Sequence, residues 1–229
     1  SGGSSTNVIL EAGNGTVSIA GIGTDIGSVF LDGAGGITLN GSITTAGANI
    51  DIDDAATLAT GAITLTTSNG SVDFASTING GQDLTISSGS GAVSVGGTIG
   101  GTTSLTALDI NNSAGAGTIT LNDIGDSNTV GVAGTSRIGN DTTVTLTLAG
   151  TTYKTGSSAN NSTTYTSKAG EHIDLTGGGD TTFTTTNTAI TFGTGTVEMH
   201  NGSNLIVDTG TGGGAIDLTG GVMGTSSEN

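Results

Sequence analysis

The amino-acid sequence predicts an all-β fold, a parallel β-helix (β-solenoid) with about 21 residues per coil. Short runs of alternating apolar and polar residues recur along the chain, and Gly-marked turns separate them. Leu10 and Leu31 hold corresponding positions in successive repeats, as do Leu65 and Ile86, and Ile110 follows after a slightly longer step. Because the strands of an antiparallel meander recur about every 8–12 residues, the longer period indicates stacked coils.

Each repeat contains two short strands and a third stretch with one apolar residue. In chain order, the first strands cover residues 8–10, 29–31, 63–65, 84–86, 108–110 and 205–207. The second strands cover residues 17–19, 37–39, 72–74, 93–95, 119–121 and 216–218. The third stretches contain Ile22, Ile43, Ile78, Ile99, Ile124 and Val222. Since successive side chains of a strand point to opposite faces, we expect the apolar residues to line the lumen and the intervening polar residues to face solvent.

The composition agrees with stacked coils. The chain has 229 residues, of which 44 are Gly and none is Pro. A strand that is paired on both sides excludes Pro, and Gly readily adopts the positive φ that tight corners need. Only 3% of the residues are aromatic, and we expect a narrow lumen to contain aliphatic side chains.

We expect residues 1–229 to form a single rod of about ten or eleven coils, about 50 Å long at the usual interstrand spacing. Two segments interrupt the repeat: residues 48–61 are shorter than a full coil, and residues 150–170 form an irregular coil or a projecting loop. Residues 1–7 and 219–229 show no amphipathic capping helix. Because uncapped solenoid ends leave backbone groups unpaired, the expected partners are other copies or flanking repeats that stack end to end.

The charge and the missing residue types exclude several classes of protein. The formal net charge is −16, with three Lys and Arg against nineteen Asp and Glu. Three cations are too few for a nucleic-acid partner, whose phosphates require many Lys and Arg contacts. No run approaches about 18 apolar residues, so we expect no membrane insertion. Without Cys, neither a disulfide scaffold nor a Cys-based zinc site can form.

Asp51, Asp53 and Asp54 form the densest acidic group in the sequence. With the neighbouring Ile residues turned inward, Asp51 and Asp53 lie on one outer face about 7 Å apart. Carboxylates arranged in this way are candidate ligands for Ca²⁺, supplied together with neighbouring coils. The alternative is a solvated acidic face. Apart from this Ca²⁺, we expect no cofactor.

Both histidines have acidic neighbours in the sequence. His172 lies between Glu171 and Asp174, and His200 follows Glu198. Imidazole beside a carboxylate suits a metal ligand or a general base, but the same pattern also occurs at ordinary surface positions.

We expect the chain not to be an enzyme. Polysaccharide lyases built on a β-helix need a Lys or Arg base beside clustered Asp residues, and hydrolases need paired carboxylates. Arg137, Lys154 and Lys168 are the only cations, and the sequence places none of them beside an Asp pair.

A Thr-array binding protein, such as an ice binder, is the alternative to a structural rod, ahead of a polysaccharide lyase or hydrolase. Thr recurs at alternate positions in residues 143–147 and is dense in residues 181–186. These units do not recur at one fixed position in each coil, as a flat binding face requires. Thr is also a good residue for the outer face of any strand.

The stretches "GAITLTTSNGSVDFASTINGGQDLTI" (61–86) and "GAVSVGGTIGGTTSLTALDI" (91–110) resemble repeats of large secreted bacterial surface proteins of the filamentous-haemagglutinin type, including two-partner-secretion exoproteins and autotransporter passengers. The resemblance extends over residues 7–130 and 171–222. It implies a right-handed β-helix, secretion to the bacterial cell surface, and a structural role in attachment, biofilm or filament assembly. The implied partners include a cell-surface glycan or protein. It carries over no active-site residue.

Overall fold

The computed structural model describes residues 6–225, and in this part of the chain it contains 25 β-strands and no α-helix. The strands pair in parallel and stack as a β-solenoid of about 9 turns with roughly 24 residues per turn. The predicted all-β solenoid is therefore confirmed. Within residues 6–225, no helix has the length and apolar character that crossing a membrane requires.

The strand bounds, in chain order, are as follows. They are β1 (Thr6–Glu11), β2 (Val17–Ile19), β3 (Ile26–Asp32), β4 (Ile37–Leu39), β5 (Ile43–Thr44), β6 (Ile50–Ile52), β7 (Ala56–Leu58), β8 (Ile63–Thr66), β9 (Val72–Phe74), β10 (Ile78–Asn79), β11 (Asp83–Ser87), β12 (Val93–Val95) and β13 (Ala107–Ile110). The chain continues with β14 (Ile119–Leu121), β15 (Ser136–Ile138), β16 (Thr145–Leu148), β17 (Thr152–Lys154), β18 (Ser162–Tyr165), β19 (His172–Leu175), β20 (Asp180–Thr184), β21 (Ala189–Phe192), β22 (Thr196–Met199), β23 (Asn204–Asp208), β24 (Ile216–Leu218) and β25 (Val222–Gly224).

Three parallel sheets run along the rod, and each coil passes through them in turn. Sheet A has ten strands in the order β1-β3-β6-β9-β12-β14-β16-β19-β22-β25. Sheet B consists of two groups of strands, β2-β4-β7-β10 and β17-β20-β23. Single β-bridges through Ile99 and Ile124 connect the two groups. Sheet C has eight strands in the order β5-β8-β11-β13-β15-β18-β21-β24. Residues at equivalent positions of successive coils form a column along the rod. They are therefore neighbours in space although a whole coil separates them in sequence.

The predicted period holds only for the first part of the rod. Along sheet A, the steps between register partners from Val8 to Val93 are close to the predicted length. Every step from Val93 to Val222 is a few residues longer. The expected ten or eleven coils are thus too many, and about 9 turns give a rod of about 43 Å at the interstrand spacing.

The longer coils contain an extra side. Leu105, Val132 and Thr155 pair with one another through single parallel bridges between sheets B and C. All three side chains are buried. The extra residues therefore extend the perimeter of the coil and contribute to the core.

Residues 48–61, expected to be shorter than a full coil, are regular. They supply β6 to sheet A and β7 to sheet B, and β8 of sheet C follows. The sequence pattern misses this coil because its repeats begin on sheet A in the first two units, on sheet C in the units that start at residues 63, 84 and 108, and on sheet B at residue 205. All three sheets have the same alternation, so the pattern alone does not distinguish them.

The alternation of apolar and polar residues places the apolar side chains in the lumen, as expected. Ile119 and Leu121 of β14 are fully buried, and Thr120 between them is exposed. The register aligns Val93 with Ile119 and Ser94 with Thr120. Burying one aliphatic side chain contributes roughly 1.5–3 kcal/mol, and the columns repeat this contribution in each coil.

Residues 150–170 form part of the rod and supply β17 and β18 to sheets B and C. Tyr153 and Tyr165 point inward, where Tyr153 stacks on Phe183 at 4.9 Å and Tyr165 stacks on Phe192 at 5.6 Å between ring centroids. Burial raises the pKa of each tyrosine above the ordinary value for a phenol. The expectation of an aliphatic lumen is wrong here, because the longer coils leave room for four stacked rings.

Buried polar residues form a repeated corner between sheets C and A. Thr45, Thr67 and Ser88 follow successive strands of sheet C, and each is buried. Each hydroxyl donates a hydrogen bond to the carbonyl oxygen of the residue three positions later. The corner thus satisfies its own backbone acceptor inside the rod, where an unpaired polar group would be costly.

Glycine is needed in the corners for two different reasons. Gly89 and Asn111 have φ of 62° and 50°, the left-handed conformation expected from the sequence. Gly91 and Gly117 do not, and there a Cβ atom would collide with the carbonyl oxygen of the glycine one coil earlier. At these positions the close stacking of coils, rather than the backbone dihedral, requires glycine.

Replacing Ile119 with Asp should lower the free energy of unfolding by about 4 kcal/mol or more, because the carboxylate would have no partner in the lumen. The matched change Thr120→Asp on the outer face should alter it by no more than about 0.5 kcal/mol. Urea unfolding followed by circular dichroism measures both values. Equal losses for the two variants would contradict the assignment of inner and outer faces.

Candidate functional site

Ionisable side chains are concentrated on the outer face of sheet A. One column runs along this face, with one residue per coil. From β3 to β25 its members are Phe30, Asp51, Asp73, Ser94, Thr120, Thr147, Asp174, Glu198 and Met223. Two acidic pairs therefore lie on the same face, separated by three neutral residues.

The first acidic pair is Asp51 and Asp73, which are register partners on β6 and β9. Burial raises the pKa of Asp51, and the nearby charges of Asp73 and Asp53 raise it further. Burial also raises the pKa of Asp73, with a smaller contribution from Asp53. The hydroxyl of Ser94 donates a hydrogen bond to the Asp73 carboxylate. These carboxylates thus lie in a field of like charge.

Asp54, the third candidate Ca²⁺ ligand, is directed to a different neighbour. Its Oδ2 accepts a hydrogen bond of 2.9 Å from the backbone N–H of Gly33. A side-chain hydrogen bond with Asp54 is the main reason that the pKa of Asp32 is raised. The structure therefore brings Asp51 close to Asp73 and Asp54 close to Asp32. It does not gather Asp51, Asp53 and Asp54 around one point, and Ca²⁺ binding by these three residues stays a prediction.

The second acidic pair is surrounded by both histidines. Asp174 on β19 and Glu198 on β22 are register partners. Nδ1 of His172 lies 3.1 Å from Oε2 of Glu198. Nε2 of His200 lies 3.3 Å from Oδ1 of Asp174 and 3.5 Å from Oε2 of Glu198. We call these four residues the His–carboxylate cluster.

Within residues 6–225, only the His–carboxylate cluster offers three or more potential metal ligands close together. Ligand atoms of His172, Asp174 and Glu198 all lie within 4.8 Å of one another. The side chains of Asp174 and Glu198 are 20% and 17% exposed, and those of His172 and His200 are 42% and 32% exposed, so an ion can reach the cluster from solvent. The sequence shows each histidine beside an acidic neighbour. It does not show that His172 and Asp174 of one coil meet Glu198 and His200 of the next.

The cations are distributed over separate parts of the rod. Nη1 of Arg137 lies 3.9 Å from Oδ2 of Asp109 on the adjacent strand of sheet C. Burial raises the pKa of Asp109, and hydrogen bonding to Asn112 and the charge of Arg137 oppose this shift. Nζ of Lys154 donates to the carbonyl oxygen of Ser127 at 3.2 Å. In the part of the chain that the structure describes, no ion pair joins a lysine to a carboxylate.

The threonines proposed as an array do not share one face. Thr143 and Thr181 are buried, whereas Thr145 and Thr182 lie on outer positions of β16 and β20. Thr also recurs on the outer face of sheet C, but Asp109 and Arg137 occupy two successive coils of its column. These interruptions leave no continuous Thr face along sheet C.

Both ends of the rod expose side chains that belong to the lumen. Leu10 of β1, Ile216 of β24 and Val222 of β25 align with buried apolar residues of the adjoining coil. They are 38%, 47% and 43% exposed. The sequence shows no capping helix in residues 1–7 and 219–229. Of these, residues 1–5 and 226–229 lie outside the described residues.

Comparisons with protein-family models, with curated proteins and with solved structures give no match to this chain.

The variant Asp51→Asn should be more stable than the wild type at pH 7, by up to about 1 kcal/mol for a partly exposed charge. Since the pKa of Asp51 is raised in the folded state, the wild type loses stability as the pH rises through that pKa. The advantage of the variant should vanish below the ordinary value of 3.8. Urea unfolding at a series of pH values measures this difference.

Asp126 provides a control of opposite sign. The backbone N–H groups of Thr129 and Asn128 lower the pKa of Asp126, so its contribution to stability is present above the ordinary pKa and is lost on acidification. Asp126→Ala should therefore be less stable than the wild type at pH 7 and equal to it at low pH. A loss of stability at pH 7 in Asp51→Asn would show that Asp51 has a favourable partner.

Proposed function

We propose that this chain is a structural rod segment of a secreted bacterial adhesin or surface fibre, which extends by adding like coils at its ends. The observation that carries the proposal is the exposure of lumen residues at both ends, at Leu10, Ile216 and Val222. The resemblance of residues 61–86 and 91–110 to repeats of secreted surface proteins supports the proposed location at the bacterial surface.

Adding a coil at an end satisfies two physical requirements together. β1 and β25 are the outermost strands of sheet A, and each has one backbone edge without a partner within residues 6–225. A further coil pairs this edge and covers the apolar residues of the end. The two ends are different surfaces, so such a contact is head to tail and continues as a filament.

The charge distribution favours contact at the ends over contact at the sides. The net charge of −16 is carried by side chains on the outer faces, such as Asp51, Asp73, Asp174 and Glu198. Rods lying side by side repel one another through these charges. End-to-end contact brings together less charge and more apolar surface. The sides remain available for a cell-surface glycan or protein.

The purified chain should associate end to end as the salt concentration increases. From about 0.01 M to about 1 M NaCl the Debye length falls from about 30 Å to about 3 Å, so repulsion between copies weakens while apolar contacts persist. Sedimentation velocity across this series should show growing oligomers. A single monomeric species at every salt concentration would contradict the proposal.

Two matched variants test whether the ends make the contact. Val222→Asp places a charge on the apolar end and should abolish association at high salt. Thr120→Asp adds the same charge to the side of the rod and should associate like the wild type. Loss of association in both variants would indicate contact through the sides.

The proposal also predicts no turnover of acidic polysaccharides. Arg137, Lys154 and Lys168 are the only cations in the sequence. Arg137 faces a single Asp, and Lys154 donates to a carbonyl oxygen. Incubation with pectate or alginate, with and without Ca²⁺, should release no unsaturated or reducing sugar. Sugar release that disappears in Arg137→Ala, Lys154→Ala or Lys168→Ala would instead favour an enzyme.

A further inference from the structure

We infer that the His–carboxylate cluster is a binding site for a divalent transition-metal ion of the Zn²⁺ type, with ligands from two successive coils. The inference is independent of how the rod ends are used. It depends on the four side chains His172, Asp174, Glu198 and His200 and on the register that brings them together.

The register concentrates negative charge at the centre of the cluster. Asp174 and Glu198 are direct partners across the ladder between β19 and β22. Like charges at directly opposed positions destabilise a sheet. Within residues 6–225, no Lys or Arg forms an ion pair with either carboxylate. A bound cation would remove this repulsion.

The histidines lie diagonally on either side of the acidic pair. His172 precedes Asp174 by two residues, so both lie on the outer face of β19. His200 follows Glu198 by two residues, just beyond the end of β22. Each imidazole contacts the carboxylate of the other coil. An ion bound here would therefore join two successive coils.

One solvent-shielded nitrogen of the cluster has no hydrogen-bond partner. Nδ1 of His172 is shielded from solvent and, although it lies 3.1 Å from Oε2 of Glu198, it is not aligned for a hydrogen bond with it. A shielded nitrogen without a partner is uncommon, since buried polar atoms are nearly always satisfied. A metal ion between the two atoms would satisfy both of them.

The ligand types select the class of metal. Imidazole nitrogen suits Zn²⁺, Cu²⁺ and Ni²⁺, whereas sites made only of oxygen suit Ca²⁺ and Mg²⁺. Zn²⁺ binds His nitrogen and carboxylate oxygen at about 2.0–2.2 Å in tetrahedral geometry, so its ligand atoms lie about 3.4 Å apart. The separation of up to 4.8 Å requires only a small movement of these partly exposed side chains. Asp51 and Asp73 offer only oxygen and provide a natural comparison.

Isothermal titration of the metal-free full chain with ZnCl₂ tests the site. The wild type should bind one Zn²⁺ ion per chain, and it should bind Zn²⁺ more tightly than it binds Ca²⁺. His172→Ala, His200→Ala and Glu198→Gln should each weaken binding by about tenfold or more. Asp73→Asn, which removes a carboxylate from the same face several coils before the cluster begins, should bind Zn²⁺ like the wild type.

A second measurement separates a metal ligand from a structural residue. Zn²⁺ should raise the thermal midpoint of the wild type, because it binds the folded state preferentially. It should leave the midpoint of His172→Ala/His200→Ala unchanged. Circular dichroism in EDTA should be the same for both proteins, since both side chains face outward. Absence of Zn²⁺ binding, unchanged binding in the double variant, or binding reduced in Asp73→Asn would each overturn the inference.

Discussion

Parallel backbone pairing between successive coils is the constraint on which the rest of this structure depends. Each strand of sheets A, B and C pairs with the coil before it and the coil after it, except at the ends, and in sheet B single bridges through Ile99 and Ile124 make this connection in two coils. The spacing between coils is therefore fixed at about 4.8 Å. It excludes Pro from the ladders, and it excludes a side chain at Gly91 and Gly117, where successive backbones stack closely.

The same pairing creates columns of equivalent side chains. Inside, the columns are apolar, and the core grows by one layer with each coil. When a coil becomes longer, its extra residues enter the core as well: Leu105 and Val132 form an additional inner column, and Tyr153 and Tyr165 fill the wider lumen. A solenoid can thus vary in perimeter along its length without losing register in the ladders.

Outside, the columns convert sequence separation into chemical proximity. Sheet A places acidic residues one above another in two places, and the two places differ in their neighbours. Asp51 and Asp73 have raised pKa values, caused mainly by burial and then by like charge. Asp174 and Glu198 have an imidazole on either side. One acidic column therefore provides two local environments, which differ in the ligand atoms they offer to a cation.

The fold class, the inner and outer faces of the strands, and the period of the first coils are predictable from the sequence alone. These features follow from local alternation, from glycine at the corners and from the absence of Pro. Which polar residues meet is visible only in the folded chain. His200 contacts Asp174, 26 residues earlier, and the shorter period predicted from the first repeats does not place them together. The local pattern determines which way a side chain points, but the length of the corners between strands determines the register. Because the corners are polar and do not alternate, the pattern does not show how their length changes the register.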